Sequence, residues 1–557
     1  MIDHDIHLAR ALLVENNVLL RSVAAEQLRN AGVGQVVQVS RVKDARLWIE
    51  RERFDIIVCN REFEGTDDSG QDLLDELRRE NQLPYSTVFL MVTSQAAYHQ
   101  VVEAAEAVLD GLLLRPYAGA ALGQRLAEAR HRKRVLADIL LAQDSGQTEL
   151  ALTLALRRYK DKLPYAAYCG RLVAELLLTL QRPLEARAIF DKLALGTHST
   201  WPRLGAARSL LAAGEVRNAR YLIESVLLDD ADAADAHDLL GGLLVEQCDF
   251  EGALVAYRRA TALTPGCLLR NQHAGALAFY QGYGPEALTR LERAVTLGVK
   301  SKLFDALTLV LIGILRFDAG DTTGLGSLRE QLRHHAKRQA QSPRLQRFGE
   351  AIDALTDLLA GRPDQALEAT RKLAAQGGED DFDLEAASTV LLLWDRLPPS
   401  HQPAAERDAL AQTLGMRFCT SNAVAEVLLA SVRRANPVAD IVRTCQSRVG
   451  SLAEQAMEQA LRGQARAAVL MLLQTGEQLR NAKLLEMAAL LARRNADSLG
   501  DAEALITRAT DTITRSCPSP SRIAGIRRSG RAPSGLQLRL RNLPQPDTRS
   551  EQLGLAG

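Results

Sequence analysis

Four alanines recur along the chain at intervals of 33 or 34 residues, and this recurrence limits the possible fold more than any other feature. They are Ala186, Ala219, Ala253 and Ala287, and each lies in a similar phrase with helical spacing (LEARAIF, RNARYLI, EGALVAY and PEALTRL). A fixed period of this length is the sequence signature of a repeat array. The chain is therefore predicted to stack helix pairs.

Small residues mark the turns and crossings of these pairs. Gly214, Cys248 and Gly282 stand five residues before three of the alanines, where a turn between two helices belongs. Gly241 and Gly275 recur 34 residues apart in the first helices. This spacing indicates that two helices cross there too closely for a larger side chain.

The pattern resembles the tetratricopeptide repeat, most clearly over residues 167–300. Further along, Gly361 and Gly463 again precede an alanine by five residues, so we expect degenerate helix pairs over 300–512. We assign 131–515 to this helical array. An aromatic content of only 4% favours helix over strand in such a chain.

Residues 1–130 show a different pattern. Stretches with helical spacing separate five short apolar runs, which lie at 9–14, 34–39, 54–59, 86–92 and 110–114. Continuous apolar runs are what a parallel sheet needs when helices cover both of its faces. We therefore predict a five-stranded, doubly wound α/β domain whose ligand chemistry lies at the carboxyl ends of the strands.

The strand-end phrases LLVENN, FDIIVCN, MVTS and LLLRPY follow the order found in receiver domains of two-component signalling. The domain resembles that family, and a receiver followed by tetratricopeptide-like repeats resembles a bacterial response-regulator architecture. The resemblance implies a flavodoxin-like fold. It places the family's acid pair at Glu15 and Asn16, the phosphorylated aspartate at Asn60, the switch residue at Thr93 and the lysine at Arg115.

These residues do not suit the family's chemistry, in which a carboxylate attacks phosphorus beside Mg²⁺ held by acidic residues. Asn60 is a neutral amide and cannot be that nucleophile, and Glu15 is one carboxylate where three would surround the metal. Arg115 keeps the positive charge of the lysine, but on a wide, planar guanidinium group that can pair with Glu15. Leu112 replaces the family's aromatic switch residue.

We therefore expect a pseudo-receiver that works without phosphorylation, with no metal and no cofactor. The alternatives are a response regulator still modulated by phosphorylation or by a weakly bound ligand, and strand-end residues at 60 and 93 that only satisfy local backbone groups. No glycine-rich phosphate loop, nucleophile elbow or zinc-helix motif occurs, so we expect no enzyme. The pairs His334–His335 and Asp67–Asp68 fit a solvated face and a turn better than a metal or phosphorylation site.

Charge and cysteine content limit the possible partners and the possible cellular compartment. The 68 basic and 68 acidic residues cancel, which disfavours nucleic acid or an anionic membrane as a general partner. The seven cysteines include no Cys-x-x-Cys pair, which indicates buried thiols in a reducing compartment. No leader or apolar stretch of membrane-spanning length is present, so we expect a cytoplasmic protein.

The composition changes to Pro, Ser, Gly and Arg near the end of the chain. Residues 515–557 hold eight Arg and two acids, and such a segment cannot bury enough apolar surface to order itself. We assign 516–557 to a disordered tail that is dispensable for folding. A nucleic-acid-associated regulator that uses this basic tail is a second function that the sequence leaves open.

The leading hypothesis is a non-catalytic signalling adaptor whose array binds another protein, a histidine kinase or a different signalling component. In a tetratricopeptide array the first helices line the concave groove, and the register places seven residues there: Tyr168, Arg171, Trp201, Arg208, Gln272, Phe279 and Tyr280. Aromatic side chains beside arginines suit an extended or helical segment with apolar anchors. The acids Glu175 and Asp238 on the same face disfavour the family's carboxylate-binding mode. Alternatively, Trp201 and Phe279 pack between neighbouring helices.

Overall fold

The computed structural model describes residues 5–63, 70, 73–74, 77, 83–94, 110–195, 200–299, 304–338, 342–432 and 437–517. The described chain divides into two units, residues 5–233 and 234–517. The first unit contains a parallel β-sheet followed by helices. The described part of the second unit is helical.

The sheet of the first unit consists of β1 (Arg10–Val14), β2 (Gln35–Val39), β3 (Ile56–Asn60), β4 (Val88–Thr93) and β5 (Gly111–Leu114). All neighbouring strands are parallel, in the order β2-β1-β3-β4-β5. This is a doubly wound order with its switch point between β1 and β3. The prediction of a five-stranded, flavodoxin-like domain is confirmed.

The helices α1 (Val18–Asn30), α2 (Val42–Arg51) and α3 (Gly119–Val135) belong to this domain. On one face of the sheet, Leu13 and Val58 pack in an apolar cluster with side chains of α1 and α3. On the other face, Leu12 and Ile57 belong to a second cluster that includes side chains of α2. Burial on both faces explains why the strands read as unbroken apolar runs. Helix α3 extends to Val135, beyond the domain boundary predicted at residue 130.

Most of the remaining described residues of both units are helical. Those of the first unit are α4 (Ala137–Asp144), α5 (Thr148–Lys160), α6 (Ala166–Thr179), α7 (Pro183–Ala194), α8 (Trp201–Ala212) and α9 (Val216–Asp229). Those described in the second unit are α10 (Ala234–Glu246), α11 (Phe250–Leu263), α12 (Leu268–Tyr280), α13 (Gly284–Gly298), α14 (Leu307–Asp318), α15 (Thr322–Arg338), α16 (Pro343–Leu359), α17 (Pro363–Ala375), α18 (Leu384–Arg396), α19 (Ala404–Phe418), α20 (Asn422–Ala430), α21 (Pro437–Leu461), α22 (Ala465–Leu479), α23 (Ala482–Arg494) and α24 (Ala502–Ser516).

A residue with left-handed backbone conformation joins the helices of each early pair. These residues have φ between 60° and 83° and are Gly146, Gln181, Gly214, Cys248 and Gly282. In each turn the next residue donates its N–H to a carbonyl five positions back, as Glu215 does to Leu210 at 2.9 Å. This bond satisfies a carbonyl that the ending helix leaves free.

The alanine five residues after each turn is fully buried, which explains the period found in the sequence. The set comprises Ala151, Ala186, Ala219, Ala253 and Ala287, each 0% exposed. The pair α4/α5 around Gly146 was missed, although Gly146 stands five residues before Ala151. The signal used elsewhere in the chain would have found it.

The predicted close crossings are confirmed at both glycines. A Cβ atom at Gly241 would lie 2.8 Å from the ring of Tyr257 in the second helix of its pair. A Cβ atom at Gly275 would lie 2.7 Å from a methyl group of Leu291. Neither position has room for a side chain.

The pairs continue beyond residue 300 and then lose their regularity. The turns of α14/α15 and α16/α17 use Gly320 and Gly361, both with φ of 72°. From α18 onward the helix lengths diverge, with nine residues in α20 and 25 in α21. Gly463 nevertheless forms the same turn between α21 and α22, and Ala468 behind it is fully buried.

The last described helix ends inside the fold. Ser516 and Cys517 are both buried. The guanidinium of Arg417, which is 4% exposed, donates to the Ser516 carbonyl at 3.2 Å and to two carbonyls of the segment before α18. The predicted start of the tail at 516 is therefore wrong by two residues, because these two positions belong to the helical unit. Residues 518–557 lie outside the described residues.

Removal of residues 516–557 should destabilise the second unit by about 1–3 kcal/mol relative to removal of 518–557. The shorter chain leaves the buried Arg417 without the Ser516 carbonyl, and unmet hydrogen bonds of charged groups carry costs of about this size. Thermal unfolding followed by circular dichroism compares the two chains. Equal midpoints would contradict the role assigned to Arg417.

The cysteines fit their predicted role as small buried residues. All seven are free thiols, and five of them are buried. Burial raises the pKa of Cys169 to about 11 and that of Cys419 to about 12, so both stay protonated at neutral pH. Separately, no helix within the described ranges has the length and apolar character needed to cross a membrane.

Candidate functional site

The carboxyl ends of four strands bring the predicted receiver residues into one pocket. Glu15 follows β1, Asn60 ends β3, Thr93 ends β4 and Arg115 follows β5. Glu15 and Thr93 are each 1% exposed, and Asn60 is 7% exposed. The four predicted residues therefore lie at one edge of the sheet, as the strand order requires.

The start of α1 fixes the position of Glu15. The Asn17 side chain caps the helix by accepting from the N–H groups of Leu19 and Leu20, at 3.0 and 3.1 Å. Glu15 Oε1 accepts from the N–H of Asn17 at 2.9 Å. Asn16, the predicted second acid position, is only partly buried.

An ion pair closes the pocket. Nη2 of Arg115 lies 2.5 Å from Oε2 of Glu15, and the Arg115 side chain is 17% exposed. Removing two charges from water is costly, and a close pair with further hydrogen bonds offsets that cost. The pairing proposed from the sequence is present, so the pocket neutralises its own carboxylate.

The Asn60 amide is tied into the same network. Its Nδ2 donates to the carbonyl of Glu62 at 2.6 Å and approaches Glu15 Oε1 at 3.4 Å. Its Oδ1 lies 3.5 Å from Nη1 of Arg115. The amide therefore orients the neighbouring groups and offers no anionic oxygen for attack on phosphorus.

Glu62 is a functional candidate that the sequence reasoning missed. Its Oε1 accepts the hydroxyl hydrogen bond of Thr93 at 2.6 Å. The available signal was an acid two residues beyond the end of β3, on the pocket side of the sheet. This contact holds the side chain at the predicted switch position against a carboxylate.

The pocket does not fit the magnesium ion that the receiver fold implies. The Glu15 carboxylate faces the Arg115 guanidinium, and Glu62 accepts from Thr93. Across the part of the chain that the structure describes, no three His, Cys, Asp or Glu side chains are placed to hold a metal. A cation would have to displace Arg115.

Two neighbours of the pocket have perturbed acidity. Burial raises the pKa of the Tyr117 hydroxyl, and the adjacent Arg115 guanidinium opposes this change. Burial and the Glu15 carboxylate both raise the pKa of the Cys59 thiol. Both groups therefore stay neutral. Leu112, at the predicted aromatic position, packs against one of the apolar clusters of the sheet.

Comparison with known proteins identifies this domain. Residues 11–127 match the response regulator receiver domain. Chemotaxis protein CheY-3 of Vibrio cholerae is 27% identical over 117 residues, covering 21% of this chain and 88% of that protein. Transcriptional regulatory protein DpiA of Escherichia coli is 30% identical over 154 residues, covering 28% of this chain and 66% of that protein.

Among solved structures, the chemotaxis response regulator CheY4 of Vibrio cholerae is 21% identical, covers 22% of this chain and 98% of its own, and gives a TM-score of 0.20. The N-terminal domain is a receiver domain of the response regulator family. The family match ends at residue 127, before the helical array begins.

Four of the predicted groove residues form cation–aromatic contacts in the first unit, and one of these contacts places the Arg208 guanidinium 5.8 Å from the centre of the Phe190 ring. The Arg171 guanidinium lies 4.8 Å from the centre of the Trp201 ring, and that of Arg132 lies 5.2 Å from Tyr168. Trp201 also meets Phe190 edge-on, with ring centres 6.3 Å apart. The packing alternative therefore holds for Trp201, although Tyr168, Arg171 and Trp201 all keep partial exposure.

Arg208 has a structural partner. It donates to both carboxylate oxygens of Glu175, at 2.6 and 3.2 Å. Glu175 is 3% exposed, so Arg208 neutralises a buried acid. This ion pair gives Arg208 a structural role, while its side chain stays 15% exposed at the predicted groove position.

Two of the three predicted groove residues of the second unit are also buried by later helices. Gln272 is 7% exposed and donates to Oγ1 of Thr308 at 2.8 Å. Tyr280 is 6% exposed and shares a hydrogen bond of 2.8 Å with Ser388. Both assignments to an open groove are therefore wrong, while Phe279 stays partly exposed.

The remaining sequence candidates lie beyond what the structure describes. Asp67 and Asp68 fall outside the described residues. The side chains of His334 and His335 do as well, although both positions belong to α15.

Proposed function

We propose that this chain is a signalling adaptor: a receiver domain that works without phosphorylation, followed by a tetratricopeptide-type helical array that binds a partner protein. The partner is a component of a two-component pathway, such as a histidine kinase. The function lies in protein surfaces and not in covalent chemistry.

The observation that carries this proposal is the closed pocket. An amide occupies the phosphoacceptor position, and Arg115 lies 2.5 Å from the acid that would hold a metal. Phosphoryl transfer depends on a nucleophile and on cations that neutralise the phosphate charge. Asn60 supplies no such nucleophile, and Glu15 has a protein cation as its partner.

The helical array supports the second half of the proposal. Its period, its left-handed turns and its buried alanines support the assignment of helix pairs of the tetratricopeptide type. Arrays of this kind bind partners along extended surfaces. Within the first unit, Tyr168 and Arg171 combine an aromatic ring and a cation with partial exposure, as interface anchors do.

Capture of partners by the full chain tests the proposal. One sample of the immobilised protein is treated with a small phosphodonor and Mg²⁺, and a second sample is left untreated. Both are then exposed to a lysate of cells that express the protein. We expect the same proteins in the same amounts in both samples. Partners gained or lost only after phosphodonor treatment would contradict a phosphorylation-independent adaptor.

Substitution of Tyr168→Ala together with Arg171→Ala should weaken capture at least about tenfold, because interface anchors of this type commonly contribute more than 1 kcal/mol each. Tyr221→Ala is the matched control, since Tyr221 is 76% exposed but lies on the second helix of its pair. Circular dichroism checks that both variants keep their fold. Unchanged capture by a folded double variant would exclude this surface.

A further inference from the structure

The receiver domain is attached to the helical array by more than the polypeptide chain. Leu136 alone separates α3, the last receiver helix, from α4. Leu136 is fully buried and belongs to an apolar cluster with residues of α4 to α8, including Ile139 and Phe190. The receiver domain therefore runs directly into the core of the array.

The loop that enters β4 is held between the two parts. The backbone N–H of Tyr85 donates to Oδ1 of Asp144 in α4 at 2.8 Å. The carbonyl of Tyr85 accepts from Nζ of Lys133 in α3 at 2.5 Å. The Tyr85 side chain packs against the apolar cluster of the array. A receiver loop thus contributes to the core of the helical pairs.

Lys133 links this loop to the sheet. Its side chain is 8% exposed, and Nζ lies 3.1 Å from Oδ1 of Asp110, directly before β5. Asp110 also accepts from the N–H of Phe89 in β4 at 2.9 Å and from Arg132 at 3.0 Å. Because a buried lysine is stable only with such partners, these bonds fix the loop and the sheet together.

All of these contacts lie at the amino ends of β4 and β5. The pocket of Glu15, Asn60 and Arg115 lies at the carboxyl ends of the strands, which form the opposite edge of the sheet. The contacts between the receiver domain and α4 therefore do not involve the edge of the sheet that carries the pocket.

We propose that the receiver domain is the fixed N-terminal cap of the helical array. A repeat at the end of an array exposes an apolar face that a capping element must cover. Here the entry loop of β4 and helix α3 cover α4 and its cluster. The receiver domain and helices α4 to α9 consequently unfold as one cooperative unit.

The tryptophans provide a direct test. The chain has three, Trp48 in the receiver helix α2, Trp201 in α8 and Trp394 in the second unit. Two full-length proteins, which retain only Trp48 or only Trp201 with phenylalanine at the other two positions, are unfolded in urea. A cap requires both probes to report the same midpoint. Separate midpoints in the two proteins would overturn the proposal.

Two substitutions extend the test without removing any part of the chain. Leu28→Ala creates a cavity in the receiver core, where Leu28 is 0% exposed, and should lower both midpoints equally, by about 1 M urea or more. Asp144→Ala should also lower both, while Asp144→Asn, which keeps an oxygen acceptor for Tyr85, should leave both unchanged. A lower midpoint reported by Trp48 alone would overturn the proposal. If Leu28→Ala does not fold, the comparison of the Trp48-only and Trp201-only proteins without this substitution decides the question.

Discussion

Substitution of Arg115→Met is expected to destabilise the receiver domain by about 3 kcal/mol. Glu15 is 1% exposed, and Arg115 is its cationic partner in the pocket at 2.5 Å. Removing one member of a buried pair leaves an uncompensated charge, which costs about 3–5 kcal/mol. Urea unfolding of the full-length protein that retains only Trp48, followed by its fluorescence, measures the change.

The double variant Glu15→Gln with Arg115→Met is the control for this prediction. It removes both charges, so most of the lost stability should return. If Arg115→Met alone is as stable as the parent protein, Arg115 does not neutralise Glu15 and the closed-pocket account fails.

Substitution of Gly205→Ala is expected to destabilise the first unit by about 2–3 kcal/mol. A Cβ atom at Gly205 in α8 would overlap the ring of Phe190 in α7, and Phe190 is 0% exposed. Overpacking of a well-filled core commonly costs about 1–3 kcal/mol. The variant also tests why small residues occupy the first helices of the pairs.

Gly123→Ala in α3 is the matched control for this change. Its Cβ atom would meet the Cβ of Ala31 at 3.5 Å, an ordinary contact. Without a clash, exchange of glycine for alanine within a helix should stabilise by about 0.5–1 kcal/mol. Thermal unfolding of both variants should therefore shift in opposite directions, and a loss of equal size in both would contradict the packing argument.

Much of the receiver domain was predictable because its signals are local. Apolar runs gave all five strands, and the residues after them gave Glu15, Asn60, Thr93 and Arg115. Parallel strands place their carboxyl ends at one edge, so the grouping of these residues followed from topology alone. Glu62 was missed because the path of the loop after β3 decides whether its side chain reaches Thr93.

The groove of the array was predicted less well because register along a repeat does not reveal what covers a residue. The Tyr280 hydroxyl forms a hydrogen bond with Ser388, which lies 108 positions further along the chain. Arg208 and Glu175 occupy facing positions in different pairs, and their pairing depends on how the two first helices stack. Such contacts depend on how helices distant in sequence pack together, and they leave no short-range pattern.

The central claim, that the receiver domain accepts no phosphoryl group, is tested most directly by intact mass measurement. The full chain and its Asn60→Asp variant are each incubated with a small phosphodonor and Mg²⁺. We predict that neither protein gains a phosphoryl group, because Arg115 pairs with Glu15 and position 16 offers no second carboxylate. A phosphoryl adduct on the unsubstituted chain that maps to the receiver domain would contradict the account.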